Sequence, residues 1–144
     1  MASVLFKELG FPILLINSPM IRVRGELVPD VNFKDLQRAV FCLLVVKPSR
    51  LSGAEIRFVR KYLRLRQSDL AEVLNMANHS VVSQWESRED EPAGMDYNTE
   101  VLLRIWMAAR AGQEDRVIEL LESRLKALKP RAERPLEVQM SIAA

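Results

Sequence analysis

The sequence predicts a mainly α fold, a five-helix-type helical unit preceded by a small β-β-α N-terminal lobe. Three observations carry this. Through most of residues 32–128, apolar side chains recur at steps of three and four, the period of an amphipathic helix. Before residue 30 the period shortens, with Ile21 and Val23 alternating with Arg22 and Arg24 as in a strand with one wet face. The run from Arg66 to Glu86, RQSDLAEVLNMANHSVVSQWE, reads as two short helices joined by a tight turn.

In chain order, Ile13–Ile16 and Met20–Arg24 are β-prone and separated by Asn-Ser-Pro, and Gly25 with Pro29 breaks the stretch that follows. A helix is predicted from about Asn32, with Phe33, Leu36, Val40, Leu43 and Leu44 on one stripe and Lys47-Pro48 closing it. Ser52 and Glu55 have the spacing of a capping box, in which the hydroxyl accepts from the Glu55 amide and the carboxylate returns to the cap amide. The helix it opens carries Ile56, Val59 and Leu63. In the next, Gln67, Leu70, Ala71 and Leu74 recur at helical spacing, with a small residue where two helices must cross closely. Asn75–Asn78 interrupts the pattern, and Val81, Val82 and Trp85 form a second stripe. Residues 86–98 read as an acidic loop containing Pro92 and Gly94; helix resumes near Thr99, with Leu102, Leu103 and Trp106 apolar, and ends at Gly112.

A last amphipathic helix is expected from about Glu114 to Leu128. Ile118, Leu121, Leu125 and Leu128 make a seam suited to one partner helix, while Val117 and Leu120 widen it enough to fold back on the same chain. The expected divisions are residues 1–50 for the lobe (partner binding or dimerisation), 51–112 for the helical domain, 113–129 for the C-terminal helix and 130–144 for a flexible tail marked by Pro130 and Pro135.

A net charge of +2 gives no global polycation argument for nucleic acid, so distribution carries the information. Arg50, Arg57, Arg60, Lys61, Arg64 and Arg66 face the single acid Glu55, and from Glu86 to Glu100 the balance reverses. The basic block adjoins the two-helix unit, where phosphate contacts would be needed, or it is a solvated helix face. The acidic stretch would repel a phosphate backbone unless it points away. Cys42 is the only cysteine and His79 the only histidine, which excludes an intrachain disulfide and a cysteine or histidine metal cluster. The longest apolar runs, PILLI and AVFCLLVV, are too short to cross a bilayer, and no basic leader opens the chain. A cytoplasmic protein with no membrane partner is expected. With no Gly-rich phosphate loop and no G-x-S-x-G, neither enzymatic activity nor a cofactor is expected.

Gln67-x-x-Leu70-Ala71-x-x-Leu74 followed by Val82-Ser83-x-Trp85-Glu86 resembles the Xre/Cro–CI type of helix-turn-helix transcriptional regulator, over roughly residues 52 to 110. The order of a small β-containing lobe, Lys47-Pro48 as a hinge and then Leu51–Arg57 is similar to MqsA-like type II antitoxins, without that lobe's zinc-binding cysteines. Asn75 replaces the usual turn Gly, Arg66 replaces the usual capping Ser or Thr, and one residue more than usual separates Leu74 from Val82. The added residue must bulge the turn or lengthen the start of the second helix.

Counting back from Trp85, the resemblance puts base contacts on His79, Ser80 and Gln84, with Asn78 or Ser83 serving if the register slips by one. Gln84 can pair twice with adenine. Gln67 at a helix start suits a phosphate oxygen, and Arg64, Arg66 and Arg88 would add salt-sensitive attraction. The resemblance implies a homodimeric repressor on double-stranded DNA with a palindromic operator, and an antitoxin of a toxin-antitoxin pair that neutralises a protein toxin and regulates its own operon. The alternative is a protein–protein interaction module that keeps the fold without binding DNA.

Overall fold

Local caps start each of the longer helices. A computed structural model describes residues 3–116, 119, 122 and 128–140 of the chain. Its first long helix, α1 (Phe33–Val45), opens at Asn32, whose side-chain oxygen accepts from the Asp35 amide, and it buries Leu36, Val40, Phe41, Leu44 and Val45. The second, α2 (Gly53–Tyr62), opens with the expected reciprocal box: Glu55 N–H donates to Ser52 Oγ at 3.2 Å, and Ser52 N–H donates to Glu55 Oε1 at 2.8 Å. Two short helices follow, α3 (Gln67–Val73) and α4 (Ser80–Glu86). The last long helix, α5 (Tyr97–Arg110), starts two residues earlier than expected, because Asp96 accepts from the Thr99 amide and caps it. Of the expected stripe Leu103 faces the core, together with Met107, whereas Leu102 is exposed. A single 3₁₀ turn covers Glu114–Arg116. Most of the amphipathic segment beyond it, including Val117, Ile118, Leu120, Leu121 and Leu125, lies outside the described residues.

The lobe is richer in strand than the expected β-β-α. β1 (Val4–Phe6) pairs antiparallel with β2 (Ile13–Ile16), and β2 pairs in parallel with β5 (Leu136–Gln139). The segment predicted as a flexible tail thus supplies an edge strand, and Val138 is buried. A four-residue strand held by a template more than a hundred residues away leaves no local signal beyond the Leu136/Val138 alternation. Met20–Val23 and Glu26–Pro29 form a separate hairpin, β3–β4, so the two strands expected in this region do not pair with each other. Gly25 turns the chain where it was expected to break it. Arg24 and Gly25 have φ of 50° and 81°, the positive pair that a two-residue hairpin loop needs. β3 has no buried face, and Ile21 and Val23 are both exposed.

One hydrophobic cluster runs from Phe6, Ile13 and Leu15 through Phe41, Ile56, Leu70 and Trp85 to Leu103 and Val138. Helix α1 packs on α5 and α2, and α4 packs on α2 and α3. Residues 46–52 are tied down and do not act as a free hinge. Lys47 Nζ lies 2.6 Å from Glu55 Oε1, both side chains being buried. Arg104, fully buried, donates to the carbonyls of Val45, Lys47 and Ser49 and lies 2.7 Å from Glu100 Oε2. Burial lowers the Arg104 pKa from its ordinary value, and Glu100 opposes that shift.

Gly53 marks where the start of α2 meets the end of α4. A Cβ there would clash with the Trp85 carbonyl oxygen and sit 2.8 Å from Glu89 N. Helix propensity alone favours alanine in α2. The contact reverses the sign, so Gly53→Ala is expected to lower stability by about 1–3 kcal/mol, seen as a lower urea midpoint at unchanged slope.

Candidate nucleic-acid interface

The two short helices are held by backbone geometry at their joint. Asn75 takes φ of 56°, a left-handed conformation that asparagine tolerates. It closes α3 with two hydrogen bonds, Asn75 N–H to Glu72 O at 3.0 Å and Met76 N–H to Ala71 O at 2.8 Å. Asn78 then folds its side chain back to accept from the Ser80 amide at 2.9 Å, starting α4. Helical structure begins again only at Ser80. At the start of α3, the side chain at the cap position, Arg66, offers no acceptor to the first-turn amides, and Asp69 reaches back to it instead. Its carboxylate accepts from Arg66 N–H at 2.8 Å and from the Arg66 guanidinium at 3.1 Å. Those bonds lower the Asp69 pKa and raise that of Arg66.

Helix α4 divides cleanly. Val82, Trp85 and Glu86 are buried, and Val81 is half-buried. Ser80, Ser83 and Gln84 are exposed, as are Asn78 and His79 in the connector before them. All five residues predicted to touch bases therefore lie at the surface around one short helix. Asn78 is partly committed, since its oxygen serves the cap and only its amide N–H groups remain. Ser87, which sequence reasoning did not select, falls one turn on from Ser83 and Gln84, and its hydroxyl donates to the Gln84 carbonyl at 2.7 Å.

The predicted phosphate contacts have separate fates. Arg64 is exposed, and its positive φ of 58° places it just beyond the end of α2. Arg66 is exposed but tethered to Asp69. Arg88 is exposed beside Gly94. Gln67 is half-buried, and its amide donates to Glu86 Oε1 at 3.3 Å, so that group is engaged inside the protein.

Glu86 is the residue that sequence reasoning misplaced. Grouped with the acidic loop, it is instead a buried acceptor under α4. Arg60 grips it through two bonds, Nε to Oε2 at 2.6 Å and Nη2 to Oε1 at 3.0 Å. Arg57 donates to its backbone carbonyl at 3.0 Å and to Glu89 at 3.2 Å. The bond to Glu89, followed by the nearby carboxylates, raises the Arg57 pKa. The signal that could have found this is opposite charge: two arginines one turn apart on α2 and a glutamate attached to the anchoring tryptophan.

The same pairing runs through the basic block and the acidic stretch. Arg50 lies 2.8 Å from Glu100 and also donates to the Met95 carbonyl. Glu91 pairs with Arg131, and Asp96 caps α5. Half of the basic block is therefore structural, and most of the carboxylates that would oppose a phosphate backbone are neutralised or turned inward. No group of metal-ligating side chains occurs among the described residues, and no helix among them is long and apolar enough to cross a membrane. Comparison with protein-family models, with curated proteins and with solved structures finds no match.

Arg60→Met would leave Glu86 buried with its main partner gone, and a loss of about 3–5 kcal/mol in urea unfolding is expected. Arg66→Ala removes an exposed pair, so its urea midpoint should match that of the parent.

Proposed function

We propose that this chain is a sequence-specific DNA-binding transcriptional repressor of the helix-turn-helix type, acting as a homodimer on a palindromic operator. The observation that carries the proposal is the division of α4. An indole and a valine anchor it from beneath, while Ser80, Ser83 and Gln84 stand outward with Asn78 and His79 beside them. Such a polar row can enter a major groove and hydrogen-bond base edges, as recognition helices do. The burial of Glu86 and Glu100 and the pairing of exposed Glu89 with Arg57 support the reading, because they reduce the repulsion that the acidic stretch would otherwise present. Arg64, Arg66 and Arg88 are the cations that reach flanking phosphates. Gln67 contributes there only by giving up its bond to Glu86.

The order of a strand-containing lobe before the two-helix unit favours a second activity, that of a type II antitoxin which binds a protein toxin and represses their shared operon. Expression of a neighbouring small reading frame should then arrest growth, and co-expression of this chain should relieve it. A competing reading, a protein–protein interaction module, draws on the diversion of Arg50, Arg57 and Arg60 into internal ion pairs.

One experiment separates the two. Duplexes selected from a randomised pool are titrated across a salt series from about 50 to 200 mM. The repressor is expected to show a slope of about −0.9 in log affinity for each phosphate neutralised. Gln84→Ala should cost about 1–3 kcal/mol in affinity and relax selectivity at one base pair, with thermal unfolding unchanged. A flat salt response with no enriched sequence would sink the repressor and leave the interaction module.

A further inference from the structure

A groove of about 1090 Å³ runs between α1 and α2, on residues that the DNA-binding reading uses only at its edge, through Arg64. Its rim is basic. Lys34 and Arg38 come from α1, Lys61 from α2 and Arg64 from the turn after it, and all four are exposed. None of the four has an ion-pair partner among the described residues, whereas Arg57, also on the rim, is held by Glu86 and Glu89. The acids on the rim are Glu8 and Asp35. The floor is apolar and aromatic. Tyr62 stacks on Phe41 with centroids 4.5 Å apart and lies over Phe58, while Leu9 and Leu63 are half-buried beside them. Phe33, the first residue of α1, remains 43% exposed at the groove's edge.

We propose that this groove is a docking site for an acidic, amphipathic peptide segment of a partner protein. Unpaired cations at the rim call for an anion, and the class of anion is decided by the floor. A phosphate backbone presents no apolar surface, so it would leave Phe33, Tyr62 and Leu63 uncovered. A segment carrying carboxylates on one face and leucine or phenylalanine on the other satisfies both at once, the mode by which amphipathic helices seat in grooves. Charge complementarity commits the rim to an acidic partner. The fixed aromatic stack supplies a floor already formed before binding.

The test uses the full chain and a fluorescein-labelled peptide of about three helical turns, with Glu and Asp on one face and Leu and Phe on the other. Anisotropy should report saturable binding. Arg38→Glu combined with Lys61→Glu should weaken it by about tenfold or more, because like charges would then meet across the interface. Both side chains are exposed and unpaired, so an unchanged melting curve is expected for the double variant. Replacing the peptide's Leu and Phe by Ser should also weaken binding. Absence of saturable binding, equal binding of a peptide with Lys at every acidic position, or indifference to either set of substitutions overturns the proposal. So does a duplex that displaces the peptide and itself loses affinity in the double variant, which would assign the groove to phosphate. Gln84→Ala keeps the two readings apart: it bears on duplex binding and should leave the peptide untouched.

Discussion

A fully buried guanidinium organises this fold. Arg104 lies in the middle of α5 with no contact with water, and a cation there is tolerated only if every donor finds an acceptor. Glu100, one turn earlier, supplies the charge, and the carbonyls of Val45, Lys47 and Ser49 supply the rest. Those carbonyls belong to the last residue of α1 and to the connector that follows it, so the requirement of one side chain fixes the path of that connector. Glu100 extends the constraint by accepting from the Leu51 amide at 3.1 Å. One residue later Ser52 begins α2, whose first residue, Gly53, touches the end of α4. The orientation of the exposed row on α4 is thus traceable, contact by contact, to a buried arginine on another helix.

Charge distribution in this chain changes meaning once it is folded. Read linearly, Arg50–Arg66 is a basic block and Glu86–Glu100 an acidic one, and each suggests an external partner or an external obstacle. Folded, they are largely partners of each other. Arg60 and Arg57 close on Glu86 and Glu89, and Arg50 on Glu100. These pairs weld α2 to α4 and the connector to α5. Among the exposed cations left without a buried partner, two groups bear on external ligands. Arg64, Arg66 and Arg88 lie around the two short helices, while Lys34, Arg38 and Lys61 line the α1–α2 groove, which Arg64 joins at its edge. A surface with a net charge of only +2 can still present local fields of this kind, because the paired charges cancel at short range.

Several features were legible from residue order because their physics is local. The Ser52–Glu55 box, the start of α1 near Asn32 and the left-handed Asn75 each depend on residues within three or four positions of one another. The inward turn of Trp85 and the outward turn of Ser83 and Gln84 follow from helical period alone. Where the reading went astray, the deciding contact was distant. The C-terminal strand exists because β2 offers an open edge to it. The alternation of Ile21 and Val23 promised a buried face, yet all four residues of β3 are exposed. Gln67 and Glu86 were assigned to solvent-facing roles, and their 3.3 Å bond depends on how α3 and α4 meet.

Residue order by itself determined the places of α1 to α4, the Ser52–Glu55 cap, the turn between α3 and α4 and the side of α4 that faces out, since these are set by backbone geometry and by apolar period over a few residues. Only the tertiary structure decided which charges are spent on each other, which short segment completes the sheet and which cations are left over. The reason is that an ion pair or a strand pairing is a property of two surfaces brought together from far apart in the chain. Neither surface carries a mark of its partner until the core has closed.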